Sequence, residues 1–322
     1  MIEEVLAEKE VSDHRQSVSF DLVVVGSGPA GMSAALCAAR SKLKVLILDM
    51  ALPGGQASTS YKVTNYLGFP EGILGVDLAT QMESCMTDFD IEYACETVTN
   101  VFNVDHPIKV IETDLGTQYK TKSIIIATGL EPKQMGLSFE QQFLGRGVSY
   151  YAQSDADSYV GKPVAVIGGG NCACYAADYL SDYASQLYLI HRSDDIKAVK
   201  SLKEKVMTNP KISLLWDTEP VEALGVDKIE KLKLFNHVTN QNTWLDVSGV
   251  FIYVGRIPSA EVVSMDVNID EGGFIITDEY MRTNIEGVYA AGDIRSKQIR
   301  QIATAVSDGM IAAINVEKYI FR

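Results

Sequence analysis

No apolar run in this chain approaches the roughly 20 residues that a membrane-spanning helix needs, so no transmembrane segment is expected. Positive charge is scarce: 28 Lys and Arg against 42 Asp and Glu leave a formal net charge of -14. Such a surface repels phosphate, which argues against a nucleic-acid binder and favours solubility or a basic protein partner. The opening segment MIEEVLAEKE lacks the basic start of a secretory signal, so a cytoplasmic protein is expected. Cysteine is sparse as well. Cys37, Cys85, Cys95, Cys172 and Cys174 are the full set, with no Cys-x-x-Cys, no zinc-ligand spacing and no secreted-type disulfide framework. That fits a reducing compartment. His14, His106 and His237 lie far in sequence from any catalytic constellation, so surface roles are expected for them.

What remains is ordinary for a soluble enzyme: 322 residues, 47% hydrophobic and 22% charged, enough for two domains with separate cores. Residues 1–19 are polar and mixed in charge and read as a flexible arm, in which Ile2, Val5 and Leu6 could form a docking turn.

The informative part is a repeated plan. FDLVVV, from Phe20 to Val25, is a short β-branched run of the kind that forms a buried strand. GSGPAG follows (Gly26, Gly28, Pro29, Ala30 and Gly31), and then the helical stretch MSAALCAAR. The first glycine permits a tight turn, the second lets a pyrophosphate reach the backbone, and the third lets helix and strand pack closely. The helix N-terminus presents a positive dipole to that anion. LKVLILD then ends at Asp49, an acid placed to accept hydrogen bonds from an adenosine ribose. The same plan recurs from Lys162: KPVAVI, the loop GGGNCA with Gly168, Gly170, Asn171 and Cys172, the helix CYAADYLSDYA, and the closing strand QLYLIHR with His191 and Arg192. Each copy has a later apolar exit, IIIATGLEP and FIYVGRIPS. The repeat predicts an α/β protein with two Rossmann-like, three-layer ββα domains and two dinucleotide sites.

From Phe20 to Arg322 the chain resembles the low-molecular-weight thioredoxin reductases, two-domain FAD and NADPH enzymes. GSGPAG resembles their FAD pyrophosphate loop. ALPGGQAS, with Gly55 and Gln56, and TNYLGFP, with Asn65, resemble segments that line the flavin. IIIATG ends in Thr128 and Gly129 and resembles the crossover out of the FAD domain. GVYAAGDIR, with Gly292 and Asp293, resembles the fingerprint whose acid holds the ribityl chain. RQIATAVSDGMIAA, opening with Arg300, Gln301 and Ile302, resembles the last helix, whose N-terminus faces the flavin pyrimidine edge. The resemblance implies a discontinuous FAD domain over 20–130 and 256–322, a pyridine-nucleotide domain over 131–255, and a homodimer.

The chain also departs from that family. Where the resemblance places the two active-site cysteines, it has Tyr151 and Ser154, although Asp155 stands at the position of the family's acid. Neither a hydroxyl nor a phenol can form or attack a disulfide as a thiolate does, so thioredoxin reduction by the family route is not expected. The family's phosphate clamp, a His-Arg-Arg turn and a further Arg, is reduced here to Arg192 after His191 and to Lys197, with Ser193, Asp194 and Asp195 between them. Lys cannot replace a bidentate Arg, and acids beside a phosphate are unfavourable. NADP, NAD, a second FAD or an empty site all remain open for GGGNCA.

Cys172 and Cys174, at i and i+2 on a helix, point apart. Cys37 reads as a small core residue, while Cys85 and Cys95 flank a helix-to-strand turn and read as two separate buried thiols, with a pair between them as the alternative. Tyr150 and Tyr151 read either as interdomain surface or as a ring able to stack on the flavin. The expected function is an FAD-dependent oxidoreductase exchanging electrons with a redox protein or small molecule other than thioredoxin. A disulfide oxidoreductase with relocated cysteines, of the diflavin-linked type, is one alternative. A non-catalytic flavin-binding regulator is the other.

Overall fold

Val24 lies between Ile47 on one neighbouring strand and Ile125 on the other, at the centre of a parallel sheet. The computed structural model that shows this describes residues 19–60, 62–258 and 266–322. The expected arm lies outside the described residues except for Ser19, which instead opens the first strand, Ser19–Val25. That strand pairs with Val45–Asp49 and with Gln118–Ile126. The first two, and the Ile124–Ile126 end of the third, bury apolar side chains on both faces, which is why these stretches read as near-continuous apolar runs. Ile91–Cys95 extends the sheet on one side, and Val288–Ala290 pairs with the end of Gln118–Ile126 on the other. The first half of Gln118–Ile126 belongs to an antiparallel meander with Lys109–Thr113 and Val98–Phe102.

The second sheet repeats this layout. Pro163–Ile167 lies between Gln186–Ile190 and Gly249–Ile252, with Ile212–Leu215 and Val148–Ser149 at the edges, all parallel. Its antiparallel meander is Thr218–Leu224, Lys231–Asn236 and Gln241–Asp246. The copies differ in where the last strand originates. In the first sheet it comes from near the C-terminus, and in the second from the segment ahead of the glycine loop. The expected α/β fold with two Rossmann-like sheets is therefore present.

The helix Pro29–Arg40 starts with Pro at its first position, where a missing N–H costs nothing. It runs against the last helix, Ile302–Ile320, along a face of small residues. A Cβ on Gly309 would come within 2.1 Å of the Ala30 carbonyl oxygen, so the two backbones touch there. Ala34, Ala35, Ala312, Ala313 and Val316 complete that seam. Between the two sheets the chain passes through Leu130–Pro132 and Arg256–Pro258, which pair antiparallel with Pro132 opposite Arg256.

Candidate dinucleotide sites

The first glycine loop is shaped by steric necessity. Gly26 has φ +104°, and a Cβ there would stand 2.4 Å from the Ala127 carbonyl oxygen. A Cβ on Gly31 would stand 1.8 Å from the Gly26 oxygen. Gly28 caps the helix Pro29–Arg40 in extended backbone, and nothing crowds its missing side chain except the Gly55 Cα at 4.0 Å. That open face, at a helix N-terminus, is a cradle for an anion. Asp49, at the end of its strand, accepts from the Ser27 amide at 2.5 Å, the Ser27 hydroxyl at 2.7 Å and the Ala51 amide at 3.0 Å.

The other expected flavin-lining residues are tied to one another. Gln56 donates from Nε2 to the Leu130 carbonyl oxygen, next to Thr128 and Gly129. Asn65 donates to Gln301 Oε1 at 2.9 Å, so the loop holding Asn65 meets the cap of the last helix. Gly292 has φ +83°, and its amide donates to Asp308 Oδ2 at 3.1 Å. Arg300 lies over the Phe274 ring at 3.9 Å and donates to the backbone oxygens of Asp293 and Arg295 at 3.3 and 3.1 Å. Asp293 Oδ1 is buried and accepts no hydrogen bond among the described residues. Lys297 lies 3.3 Å from it, which supplies charge but not hydrogen-bond geometry. A buried acceptor left open and a glycine face left uncrowded fit FAD, whose ribityl hydroxyls and pyrophosphate need those two features.

The second loop follows the same steric logic. A Cβ on Gly168 would lie 2.4 Å from the Tyr253 carbonyl oxygen, as Gly26 does with Ala127, while Gly170 faces open space. The residue after the closing strand differs. In place of Asp49 stands His191, whose ring rests on Gly169 so closely that a Cβ there would be 2.3 Å from it. Its Nε2 is 3.2 Å from the Ser193 hydroxyl. Burial lowers the His191 pKa, and the positive charges of Arg192 and Lys197 add to that, with Asp195 opposing. The segment 193–199 folds back over the loop. The Lys197 amide donates to the Gly169 oxygen at 2.7 Å, and the Val199 amide donates to Asn171 Oδ1 at 2.9 Å. Arg192 and Lys197 are both exposed. The expected repulsion from both acids is reduced, because Asp195 is ion-paired with Lys203.

The five cysteines are all free. Cys172 is exposed and Cys174 is buried, as the i, i+2 spacing implied. Cys85 and Cys95 correct the expectation of buried thiols: both are exposed, with sulfurs on the Gln81 and Met50 carbonyl oxygens at 3.3 and 3.6 Å. Tyr150 is half-buried and donates to Glu140 Oε2 at 2.8 Å, so of the two tyrosines only Tyr151 is exposed. Ser154 donates to the Tyr151 oxygen at 3.2 Å. Asp155 and Cys172 lie within electrostatic reach of Tyr253, as does Arg256. His237 is at the surface as expected, where it meets Glu219 at 3.2 Å.

Sequence reading missed Ser27, Lys297, Asp308, Tyr253 and Arg256. Asp308 had a signal: it is the one acid among Ala305, Gly309, Ala312, Ala313 and Val316 on the buried face of the last helix. Among the described residues no group of acids, His and Cys forms a metal site, and no helix is long and apolar enough to cross a membrane.

Two glycine loops on two parallel sheets, with an open acid beside the first, give the layout of a flavoprotein oxidoreductase with two nucleotide-binding folds. Residues 20–309 match the family model for pyridine nucleotide-disulphide oxidoreductases. The chain is 39% identical to a thioredoxin reductase of Peptoclostridium acidaminophilum, with 94% of this chain and 97% of the relative covered. The thioredoxin reductase of Lactococcus lactis, solved in its FR conformation, has a TM-score of 0.89 at 39% identity, covering 94% and 99%. A ferredoxin-flavin thioredoxin reductase of Clostridium acetobutylicum has a TM-score of 0.51 at 30% identity, covering 94% and 98%. The chain belongs to the pyridine nucleotide-disulphide oxidoreductase family and is an FAD-dependent oxidoreductase of the thioredoxin reductase type.

Proposed function

We propose that this protein moves electrons through FAD to an acceptor other than thioredoxin, with no dithiol beside the flavin. One observation carries this reading: between Cys95 and Cys172 the chain has no cysteine, and the segment that resembles the family's dithiol site holds Tyr151 and Ser154. Bound FAD supplies hydride and single-electron chemistry. The protein's part is to hold it. Gly26, Gly28, Pro29, Ala30 and Gly31 cradle the pyrophosphate and Asp49 takes the adenosine ribose. Asp293 accepts from a ribityl hydroxyl. Gly55, Gln56, Asn65, Thr128, Gly129, Gly292 and Arg300 wall the flavin. The N-terminus of the last helix, at Gln301 and Ile302, faces the pyrimidine edge, where its dipole stabilises negative charge. This assigns 20–130 and 256–322 to FAD and 131–255 to the second dinucleotide.

At the second site, Gly168, Gly170, Asn171 and Cys172 form the loop. His191, with no carboxylate for a ribose, together with exposed Arg192 and Lys197, favours a 2′-phosphate over NAD. Binding is weak because only one bidentate guanidinium is present. A reduced protein carrier is a second electron source, favoured by the likeness to the ferredoxin-flavin enzyme. The working unit is a homodimer.

Anaerobic titration tests the reading. NADPH at high concentration, or reduced ferredoxin, should bleach the flavin, while thioredoxin disulfide should not reoxidise it. Rapid turnover with thioredoxin ends the proposal. Release of two flavins per chain on heating would instead assign the second site to FAD.

A further inference from the structure

We propose that Lys297 is a positioning residue for FAD: it holds the Asp293 carboxylate toward the cofactor and fastens that loop to the last helix through Asp308. This rests on the reading above that Asp293 accepts from the ribityl chain.

Lys297 Nζ lies 2.9 Å from Asp308 Oδ2, 3.3 Å from Asp293 Oδ1 and 3.4 Å from Thr304 Oγ1. The lysine side chain is 12% exposed and that of Asp308 10%, so solvent screens this pair far less than a surface pair. Asp308 is fully engaged. Its Oδ1 takes Arg295 at 2.9 Å, and its Oδ2 takes the Gly292 amide at 3.1 Å as well as Lys297. Arg295 spends its remaining reach on Thr277, donating from Nε to the hydroxyl at 2.7 Å. Two acids and two cations thus balance within one network.

Asp293 is the exception in that network. Its Oδ1 is buried and has charge nearby but accepts no hydrogen bond. A carboxylate can only accept, so the group that completes it must be a donor such as a hydroxyl. Arg300 does not fill that role, because its guanidinium is stacked on Phe274 and donates to backbone oxygens. Without Lys297, Asp293 loses the cation beside it, and Asp308 keeps Arg295 and the Gly292 amide. Breaking a partly buried pair on one side is far costlier than losing a surface pair.

The test uses the holoprotein. Dilution releases FAD, and the rise of free-flavin fluorescence gives its dissociation constant. Lys297→Met keeps the length and removes the charge, and it should weaken FAD binding about tenfold, the effect of one charged contact. Lys297→Arg keeps the charge and should remain within about threefold of wild type. In an Asp293→Asn background the Met substitution should add less than about twofold, because the two residues act through one contact. Equal FAD retention in Lys297→Met overturns the proposal. So does the same loss in both backgrounds, which would make Lys297 only a brace for the loop. Lys297→Gln serves in the same titration where the Met variant does not fold. A wild-type protein that neither carries nor takes up FAD sinks the functional reading instead. An Asp293→Asn variant with unchanged FAD affinity sinks the Asp293 assignment and this proposal together.

Discussion

The Tyr253 hydroxyl accepts a hydrogen bond of 2.9 Å from the Ala152 amide. Ala152 is 1% exposed, so this bond satisfies a donor that water does not reach. It fixes the first turn of Ala152–Asp155, the segment without thiols, to the end of the second sheet. Tyr253→Phe should cost about 1–3 kcal/mol, the usual penalty for stranding a buried donor. Urea unfolding of the two proteins checks this, and a loss below about 0.5 kcal/mol would mean that another group or a water takes the amide.

The two glycine loops allow a paired prediction. Gly31→Ala puts a methyl 1.8 Å from the Gly26 oxygen, a clash between backbones that no rotamer relieves. We expect loss of bound flavin and destabilisation above about 3 kcal/mol. Gly170→Ala meets open space, so its melting temperature should stay within about 2 °C of wild type. Nucleotide affinity at the second site should fall, because the methyl occupies the face a pyrophosphate needs. Flavin absorbance, melting curves and nucleotide titration read all three quantities.

Thiol accessibility separates two neighbours. Burial, with Cys172 close by, pushes the Cys174 thiol up to about 11, so at neutral pH it is neither accessible nor ionised. Brief alkylation of the folded protein should modify Cys85, Cys95 and Cys172 and spare Cys174, as read by peptide mass spectrometry. Modification of Cys174 at the rate of Cys172 would mean that the helix Asn171–Ser181 opens readily.

Lys109 provides the pH test. It is 1% exposed, and its Nζ donates to the His106 carbonyl oxygen at 3.1 Å. Burial holds its ammonium below the ordinary value of 10.5, partly offset by Glu286 and Asp105. The unfolded chain therefore binds that proton more tightly than the folded chain. Stability conferred by this residue rises with pH through the window between its lowered folded value and 10.5. Relative to Lys109→Met, wild type should gain stability as pH increases toward 10. Denaturant curves across the alkaline range measure the difference, and a difference that is flat or falls with pH contradicts the assignment.

The repeated strand, glycine loop and helix were legible in the sequence because each part is fixed by local physics. Val24 and Val166 had to be buried strand, and Gly26 and Gly168 had to take conformations closed to other residues. Asp49 was readable for the same reason, by its distance along the chain from the loop. Asp308 stood out only as a lone acid on an apolar helix face, and Lys297 not at all, because the role of both arises only when the last helix lies against the loop that follows Gly292. The return of 193–199 over the second loop was equally hidden, since it rests on backbone amides that donate to the Gly169 carbonyl oxygen and to the Asn171 side chain, which no residue pattern announces. Cys85 and Cys95 were misread because apolar character was taken for burial, whereas Cys85 follows the exposed end of the helix Gly75–Ser84 and Cys95 ends an edge strand of the first sheet.

Pro132 faces Arg256 in a single antiparallel pair, and both passages of the chain between the sheets run through it. The halves of the molecule are thus geared to each other rather than tethered by two independent strings. Lengthening one passage alone slips the gear and turns one half against the other, whereas matched changes in both leave their relation intact.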